Sequence, residues 1–176
     1  MIDCPGIPIL SQGVLYLVQP PLIHIVLIEP EIPQNTGNIG RTCLGLGAAL
    51  HLVGKLGFSL EEKALKRAGL DYWSKLKLYR HRNWETFLSV LPDTAHLSFF
   101  SKHGTRSMWE TPFAPPVYLV FGSESRGFPP SFYKTYKDRL IRIPIQDEIR
   151  SLNLSTAVGV AAFEVARQMV QSLHVA

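Results

Sequence analysis

Short apolar runs alternate with segments of helical periodicity along this chain, and this alternation restricts the possible folds more than any other feature. Runs at 23–29, 50–53, 97–101 and 117–121 are apolar at nearly every position and read as strands. Strands that are apolar on both faces are typical of a parallel sheet covered by helices on both sides. The sequence therefore predicts an α/β domain with a mostly parallel sheet flanked by helices.

The segments between these runs carry helix signals. Asn83 can cap a helix that extends to residue 91, and Ser59 opens a capping box for a helix over 59–68. A further helix is expected over 38–49, with Asn35 or Asn38 as its cap. Additional elements are expected as strands over 76–80 and 139–145 and as a short helix over 130–136. The longest helix, over 154–173, places one apolar face on Leu154, Val158, Ala161, Val165 and Met169.

The composition fits one globular domain. The chain has 176 residues, 46% hydrophobic and 18% charged, so it can bury a core of ordinary size. We expect residues 1–22 to form an N-terminal extension and residues 23–176 a single domain. Asp3 and four prolines interrupt the apolar extension, so it predicts neither a signal peptide nor a membrane span.

Charge and cysteine usage indicate a cytoplasmic protein without resolving its partner. A formal net charge of +4 suits a polyanion such as nucleic acid, and it equally suits an ordinary basic protein. Cys4 and Cys43 lie in no CxxC pair, which argues against a disulfide framework and fits a reducing compartment. Cys43 falls in an apolar helical pattern and is interpreted as a small core residue.

Three polar loops follow predicted strands, at 30–41, 122–127 and 146–153. Ligands of open parallel sheets bind beyond the carboxyl ends of the strands, so these loops are the candidate site. In the first, Arg41 is either a solvated side chain or an anion contact in the first turn of a helix. In the second, Gly122 would permit a positive φ or a close approach of backbone to ligand, and Glu124 could pair with Arg126. In the third, Ser151 or Asn153 can cap the long helix.

Common catalytic and cofactor motifs do not fit these loops. No Gly-Lys-Ser/Thr follows Gly122, Ser123 lacks a GxSxG setting, and Gly45 and Gly47 lie in a helical pattern without a third glycine. The six histidines are scattered, and no cluster has the spacing of a metal site. The sequence therefore predicts no metal.

The three loops together are similar to a known pattern. Asn35-x-x-Asn38-x-x-Arg41, then FGSESRG at 121–127, then Ile143-Pro144 followed by SLNLS at 151–155 resemble the three motifs of the SPOUT superfamily of RNA methyltransferases. The similarity is closest to its TrmL (YibK) group, the tRNA (cytidine/uridine-34) 2′-O-methyltransferases. IVLIEPEIPQNTGNIGRTC and KRAGLDYW extend the resemblance, which covers about residues 23–171.

This resemblance implies an α/β fold with a C-terminal trefoil knot, and a homodimer whose active site uses both chains. It further implies that S-adenosylmethionine binds at the knot and that the tRNA anticodon loop is the partner, with no membrane. The residues implied to line the cofactor are Phe100, Ser101, Phe121, Gly122, Ile143, Ser151, Leu152 and Leu154. An apolar wall with backbone polar groups suits an adenosine ligand.

The catalytic set implied by the resemblance is Arg41, Glu124, Asn35 and Asn153. Arginine has a pKa above about 12 and is a poor general base, so we expect Arg41 to orient the ribose 2′-hydroxyl or its phosphate and to stabilise the developing alkoxide. Glu124 is expected to hold Arg41 or another arginine in place. A substrate phosphate or water would then accept the proton.

Two departures from the group bear on the choice of nucleotide. Phe163 stands where relatives often carry a tyrosine, and Ser123 stands where they often carry proline. RNA contact is expected from ten basic residues: Arg41, Lys63, Lys66, Arg67, Arg80, Arg82, Lys102, Arg106, Arg126 and Arg150. Tyr72 and Trp73 could stack on a loop base or pack in the core.

Two other functions compete with the methyltransferase. The first is an RNA-binding module of the same fold that acts on another tRNA or rRNA ribose, or has little activity. The second is a doubly wound nucleotide-binding enzyme such as a reductase, which the lack of any phosphate or dinucleotide fingerprint disfavours.

Overall fold

The computed structural model of the chain describes residues 21–59 and 72–174, and their side chains as far as residue 171. Seven parallel strands form one sheet in the order β3-β2-β1-β6-β4-β7-β5. Their bounds are β1 Ile23–Ile28, β2 Ala49–Val53, β3 Lys77–His81, β4 His96–Phe100, β5 Arg106–Ser107, β6 Val117–Phe121 and β7 Leu140–Arg142. The predicted parallel sheet is confirmed.

Four α-helices lie in the described residues: α1 Pro33–Leu46, α2 Trp84–Leu88, α3 Pro130–Thr135 and α4 Leu154–His174. Short 3₁₀ turns occupy Trp73–Lys75, Met108–Glu110 and Lys137–Arg139. The helix predicted over 59–68 lies outside the described residues except for residue 59. The extension predicted over 1–22 lies outside them except for residues 21 and 22.

Helix α1 begins at Pro33 rather than at residue 38, because Pro33 occupies the first helical position, where its fixed φ and missing N–H cost nothing. Its N-cap is Ile32, which makes no side-chain cap bond, so the predicted caps Asn35 and Asn38 are wrong. Arg41 consequently lies two turns inside the helix instead of in its first turn. The helix ends at Gly47, whose φ of 66° is the left-handed conformation of a C-cap.

The end of the sheet near β7 differs from the sequence prediction. β7 stops at Arg142 instead of residue 145, and β5, which pairs with it, was not predicted because two residues carry no periodicity. The chain passes very close to β7 at Gly104, where a Cβ would lie 2.5 Å from the carbonyl carbon of Ile141. The trefoil knot that the resemblance implies stays a prediction.

The sheet separates two apolar layers. On one face Ile25, Leu27 and Leu119 pack with α1 and α4, and the predicted apolar face of α4 is buried there from Val158 to Met169. On the other face the core contains ten buried side chains: Val26, Ile28, Val53, Phe87, Phe99, Tyr118, Val120, Phe128, Phe132 and Leu140. Every residue of β1, β2 and β6 is buried, which explains their continuous apolar sequences.

Cys43 confirms its predicted place in the core. It is fully buried in the layer beneath α1. Burial raises the pKa of its thiol to about 12. A thiol in this state is inert, so Cys43 acts as a small apolar residue.

Three histidines run diagonally across β1, β2 and β3 within the second layer. His24 Nδ1 lies 2.9 Å from His51 Nε2, and His51 Nδ1 lies 3.0 Å from His81 Nε2. At the β1 end of the row, His24 Nε2 donates to the carbonyl oxygen of Pro21 at 3.0 Å. A carbonyl can only accept, so the neutral row of histidines has one solution: each Nε2 carries the proton, and the Nδ1 atoms of His24 and His51 accept.

Burial keeps this row of histidines neutral. Burial lowers the pKa of His24 to about 4, and the positive charge of Lys77 acts in the same direction. Burial also lowers the pKa of His51 to about 3, and the neighbouring His24 and His81 act in the same direction. The pKa of His81 is lowered by burial as well. Below pH 6.5 these histidines therefore bind more protons in the unfolded chain than in the folded chain. The free energy of unfolding consequently decreases as the pH decreases.

We expect His51→Gln to flatten this pH dependence. Glutamine can donate to His24 and accept from His81, and it removes one titrating group, so the slope should decrease by about 1.4 kcal/mol per pH unit between pH 4.5 and 6. Urea unfolding across that range measures the slope. His96→Gln, at an exposed position of β4, is the control and should leave this slope unchanged. A slope in His51→Gln equal to that of the wild type would contradict the neutral state assigned to the row of histidines.

Candidate active site

A cavity of about 1030 Å³ opens beyond the carboxyl ends of β4, β6 and β7. All eight residues predicted to line a cofactor lie around it: Phe100, Ser101, Phe121, Gly122, Ile143, Ser151, Leu152 and Leu154. Asn35, Glu124 and Asn153 of the predicted catalytic set line it as well, whereas Arg41 does not. The sequence thus located the cavity, and the roles of these residues stay predictions.

The cavity combines an apolar wall with a charged rim. Phe100 and Phe121 stack with ring centroids 5.0 Å apart, and Phe113 continues the stack behind Phe100. The rim carries four cations, Lys102, Arg126, Arg142 and Arg150, against two carboxylates, Asp147 and Glu124. Such a site can hold an apolar ring inside while attracting an anionic partner to its mouth.

The loop after β6 folds back on itself. Ser123 and Gly127 exchange both backbone hydrogen bonds, at 3.1 and 2.9 Å, and Gly127 adopts a φ of 68°. A Cβ on Gly122 would lie 2.3 Å from the carbonyl carbon of Gly127. Glycine is therefore required at position 122 by the loop's own backbone, and the positive φ considered for Gly122 belongs to Gly127.

Glu124 holds the start of α1. Its carboxylate accepts from the backbone N–H groups of Glu31 at 2.8 Å and Ile32 at 3.2 Å, and from Asn35 Nδ2 at 3.0 Å. It thereby binds the two backbone N–H groups that immediately precede α1, and a carboxylate near a helix N-terminus is favoured by the helix dipole. Within the described residues these partners include no arginine, so the expected Glu124–Arg41 contact is wrong for a single chain.

Glu31 makes a matching contact in the opposite direction. It accepts from Ser125 N at 2.9 Å and Ser125 Oγ at 2.8 Å, and these bonds, together with Arg126, lower the pKa of its carboxyl group. Arg126 pairs with Glu29 at 3.1 Å and lies 3.6 Å from Glu31, so the pairing with Glu124 considered from sequence does not form. Each of the two loops, after β1 and after β6, thus contributes a carboxylate that accepts hydrogen bonds from the other loop.

Asn35 and Asn153 connect these loops to the third. Asn153 Nδ2 donates to Asn35 Oδ1 at 3.0 Å, while Asn153 Oδ1 accepts from Ser155 N at 2.9 Å and Thr156 N at 3.4 Å. Asn153 is therefore the cap of α4, as one of the two sequence alternatives proposed. The Glu124 carboxylate accepts at one end and the Ser155 and Thr156 N–H groups donate at the other, so both amides are oriented and one hydrogen-bond chain runs from Glu124 through Asn35 and Asn153 to α4.

Arg41 lies outside the cavity, on the exposed side of α1. Its guanidinium carbon is 5.1 Å from the centroid of the Tyr72 ring. Tyr72 donates a hydrogen bond to the carbonyl oxygen of Gly37, and Trp73 packs on Gly40, where a Cβ would lie 2.7 Å from the indole ring. Tyr72 and Trp73 therefore cover α1, which favours the packing alternative over base stacking.

The sequence missed residues that act through backbone groups or through distant partners. Glu31 and Ser125 carried no signal, because their contact joins positions 94 residues apart. Tyr133 and His103, which also line the cavity and meet edge to face at 5.3 Å, were not singled out. Three of the predicted RNA contacts, Lys63, Lys66 and Arg67, lie outside the described residues.

No group of three or more His, Cys, Asp or Glu side chains in residues 21–59 and 72–171 is arranged to hold a metal ion. No helix in the described part of the chain has the length and apolar character needed to span a bilayer.

The sheet and cavity define a class of protein: a parallel α/β domain that binds its ligand beyond the carboxyl ends of the strands, where loops from separate parts of the chain meet. Residues 22–163 match the model of the SpoU rRNA Methylase family, and the chain belongs to this family.

Named relatives and solved structures agree with this assignment. A tRNA (cytidine(34)-2′-O)-methyltransferase of Acidovorax sp. strain JS42 is 45% identical over 84% of this chain and 92% of its own. A solved structure described by the 2-OH methylation of C/U34 on tRNA is 46% identical, with a TM-score of 0.80, over 86% of this chain and 99% of its own. An AdoMet-bound rRNA methyltransferase of Sinorhizobium meliloti is 25% identical, with a TM-score of 0.72, over 84% and 57%.

We expect Asn153→Asp to destabilise the fold, because the new carboxylate faces Asn35 Oδ1 and Glu124 prevents Asn35 from turning. The cost should be about 1–3 kcal/mol. Adding Glu124→Gln lets the amides at positions 35 and 124 reverse, so that Asn35 can donate to the new carboxylate. The double variant should therefore be more stable, by about 1 kcal/mol or more, than the sum of the two single changes predicts. Urea unfolding at pH 7 measures the cycle.

Asn38→Asp, at an exposed position of α1, is the matched control and should be nearly neutral. Strict additivity of Asn153→Asp and Glu124→Gln would contradict the oriented chain.

Proposed function

We propose that this protein transfers a methyl group from S-adenosylmethionine to the ribose 2′-hydroxyl of the wobble nucleotide, cytidine or uridine 34, of tRNA. The observation that carries the proposal is the hydrogen-bond chain Glu124–Asn35–Asn153, which joins the three motif loops around one cavity. The chain is also 45% identical to a relative named for this reaction. Its compartment would be the cytoplasm, where tRNA is modified.

The cavity fits an adenosine-containing cofactor. Stacked Phe100 and Phe121, with Ile143 and Leu154, provide the apolar wall that an adenine face requires. The backbone of the 122–127 and 151–154 loops offers polar groups for its edge. Bound S-adenosylmethionine supplies a methyl group already activated by its sulfonium. The protein therefore has to align the acceptor hydroxyl and control charge, for which no metal is required.

Arg41 is proposed to act on the hydroxyl from the partner protomer of a homodimer. Its position outside the cavity of its own chain supports this, since the cavity contains the other predicted residues and lacks that cation. The guanidinium would orient the 2′-hydroxyl or an adjacent phosphate and stabilise the developing alkoxide. Glu124 acts by fixing the start of α1, and with it the helix that carries Arg41.

The surface of α1 and α4 supports the homodimer. Phe163 on α4 is 60% exposed, and Ile32 and Leu44 at α1 are 42% and 36% exposed. Apolar side chains exposed on two helices that pack together are suited to burial against a second copy. A symmetric pair places the α1 of each chain beside the other, which is the geometry that a shared active site needs.

Methyl transfer from labelled S-adenosylmethionine to unmodified tRNA tests the reaction, with nuclease mapping of the product. Label on the ribose of nucleotide 34 is expected. Label on another tRNA or on rRNA ribose would favour the alternative substrate that the family's name suggests, and label on a base or no label would refute the proposal. S-adenosylhomocysteine should bind in calorimetry, which a nicotinamide enzyme would not show.

Three single variants separate cofactor binding from catalysis. Gly122→Val should abolish S-adenosylhomocysteine binding, because its side chain would force the 122–127 loop open. Glu124→Ala and Arg41→Ala should keep binding and lose turnover by about 100-fold or more. Calorimetry and single-turnover methylation measure the two properties. Full turnover in Arg41→Ala would contradict the assigned role.

A mixture of two inactive variants tests the shared site. Heterodimers of Arg41→Ala and Gly122→Val chains contain one site with both defects and one intact site. Co-expression in equal amounts should therefore restore about one quarter of the wild-type activity. No recovery, with heterodimers confirmed by differential tagging, would place Arg41 and the cofactor in the same chain.

A further inference from the structure

Tyr72 contacts α1 at two points that converge on Arg41. Its ring lies beneath the Arg41 guanidinium, 5.1 Å from ring centroid to guanidinium carbon. Its hydroxyl donates to the carbonyl oxygen of Gly37. In an α-helix that carbonyl also accepts from the N–H of the residue four positions later, which here is Arg41. One side chain therefore contacts both the turn that carries Arg41 and its guanidinium.

The local sequence accounts for this arrangement. Gly37 and Gly40 lie three positions apart on one face of α1. Trp73 packs directly against Gly40, where any Cβ would clash with the indole at 2.7 Å. This contact anchors the 72–75 segment and presents Tyr72 to the next turn. The glycines at 37 and 40 and the tyrosine-tryptophan pair at 72–73 are thus parts of one packing unit.

We propose that Tyr72 is a positioning residue, which holds the Arg41 guanidinium in the orientation needed to contact the acceptor ribose or its phosphate. The inference rests on the proposed function, in which Arg41 acts in methyl transfer. Arg41 is exposed, and an exposed arginine loses side-chain entropy when it takes up one orientation. Stacking on an anchored ring meets this cost before substrate binds, which is preorganisation.

The position of Tyr72 also separates this role from base stacking. Its ring face is occupied by the guanidinium and its hydroxyl by a backbone carbonyl, both within its own chain. A residue that stacks on RNA would affect chiefly the KM for tRNA, whereas a residue that orients Arg41 affects chiefly kcat. The two roles therefore differ in a measurable way.

Tyr72→Leu should lower kcat about tenfold, with the KM for tRNA changed less than about threefold. Tyr72→Phe retains the ring and should recover to within about threefold of wild type. S-adenosylhomocysteine affinity and the oligomeric state should be unchanged, which shows that both variants are folded. Tyr79→Leu, a matched change at a tyrosine that is 47% exposed on β3, should keep wild-type kcat.

A double-mutant cycle with Arg41→Gln completes the test, using single-turnover rates at excess enzyme. Tyr72→Leu should have little further effect once Arg41 is replaced, since its effect passes through the guanidinium. An undiminished effect in that background, or a loss seen in KM alone, would overturn the inference. Wild-type activity of Arg41→Gln would refute the proposed role of Arg41, whereas an impaired Arg41→Gln beside an unaffected Tyr72→Leu would refute only the role of Tyr72.

Discussion

The arrangement of the candidate site depends on the ionised carboxylate of Glu124, because this group can accept hydrogen bonds but cannot donate them. It receives the N–H groups at the start of α1 and the amide of Asn35. That fixes the orientation of Asn35, which in turn fixes Asn153, whose oxygen then caps α4. At the other end, the Ser155 and Thr156 N–H groups can only donate, so they impose the same orientation on Asn153.

The same hydrogen-bond chain couples two helices that also pack against each other through apolar side chains. α1 and α4 lie on one face of the sheet, and their starting turns point toward the cavity between the β1, β6 and β7 loops. Apolar contacts tolerate small shifts, whereas a hydrogen bond weakens within a few tenths of an ångström. The polar chain therefore sets the relative position of α1 and α4, and hence where Arg41 stands.

Sequence periodicity predicted the strands that are buried on both faces and the apolar face of α4, because those patterns span many residues. It missed β5 and extended β7 too far, since pairing over two or three residues depends on what lies opposite. The cofactor contact predicted for Gly122 stays a prediction, and the structure shows a different reason for glycine there, since a Cβ would collide with Gly127 in the same loop. Glu124 was assigned an arginine partner, since no pattern reveals that a glutamate binds backbone N–H groups 93 residues away, just before a helix.

The cavity and Arg41 are proposed to serve different roles, cofactor binding and contact with the acceptor, and their surroundings differ accordingly. Groups that hold a cofactor must be rigid, and here they lie on loops tied by hydrogen bonds between backbone and carboxylates. The proposed contact of Arg41 with RNA requires an accessible side chain, and Arg41 is exposed on the outer side of α1. The contact of Arg41 with Tyr72 combines accessibility with order, because the ring limits where the guanidinium lies while the side chain as a whole stays exposed.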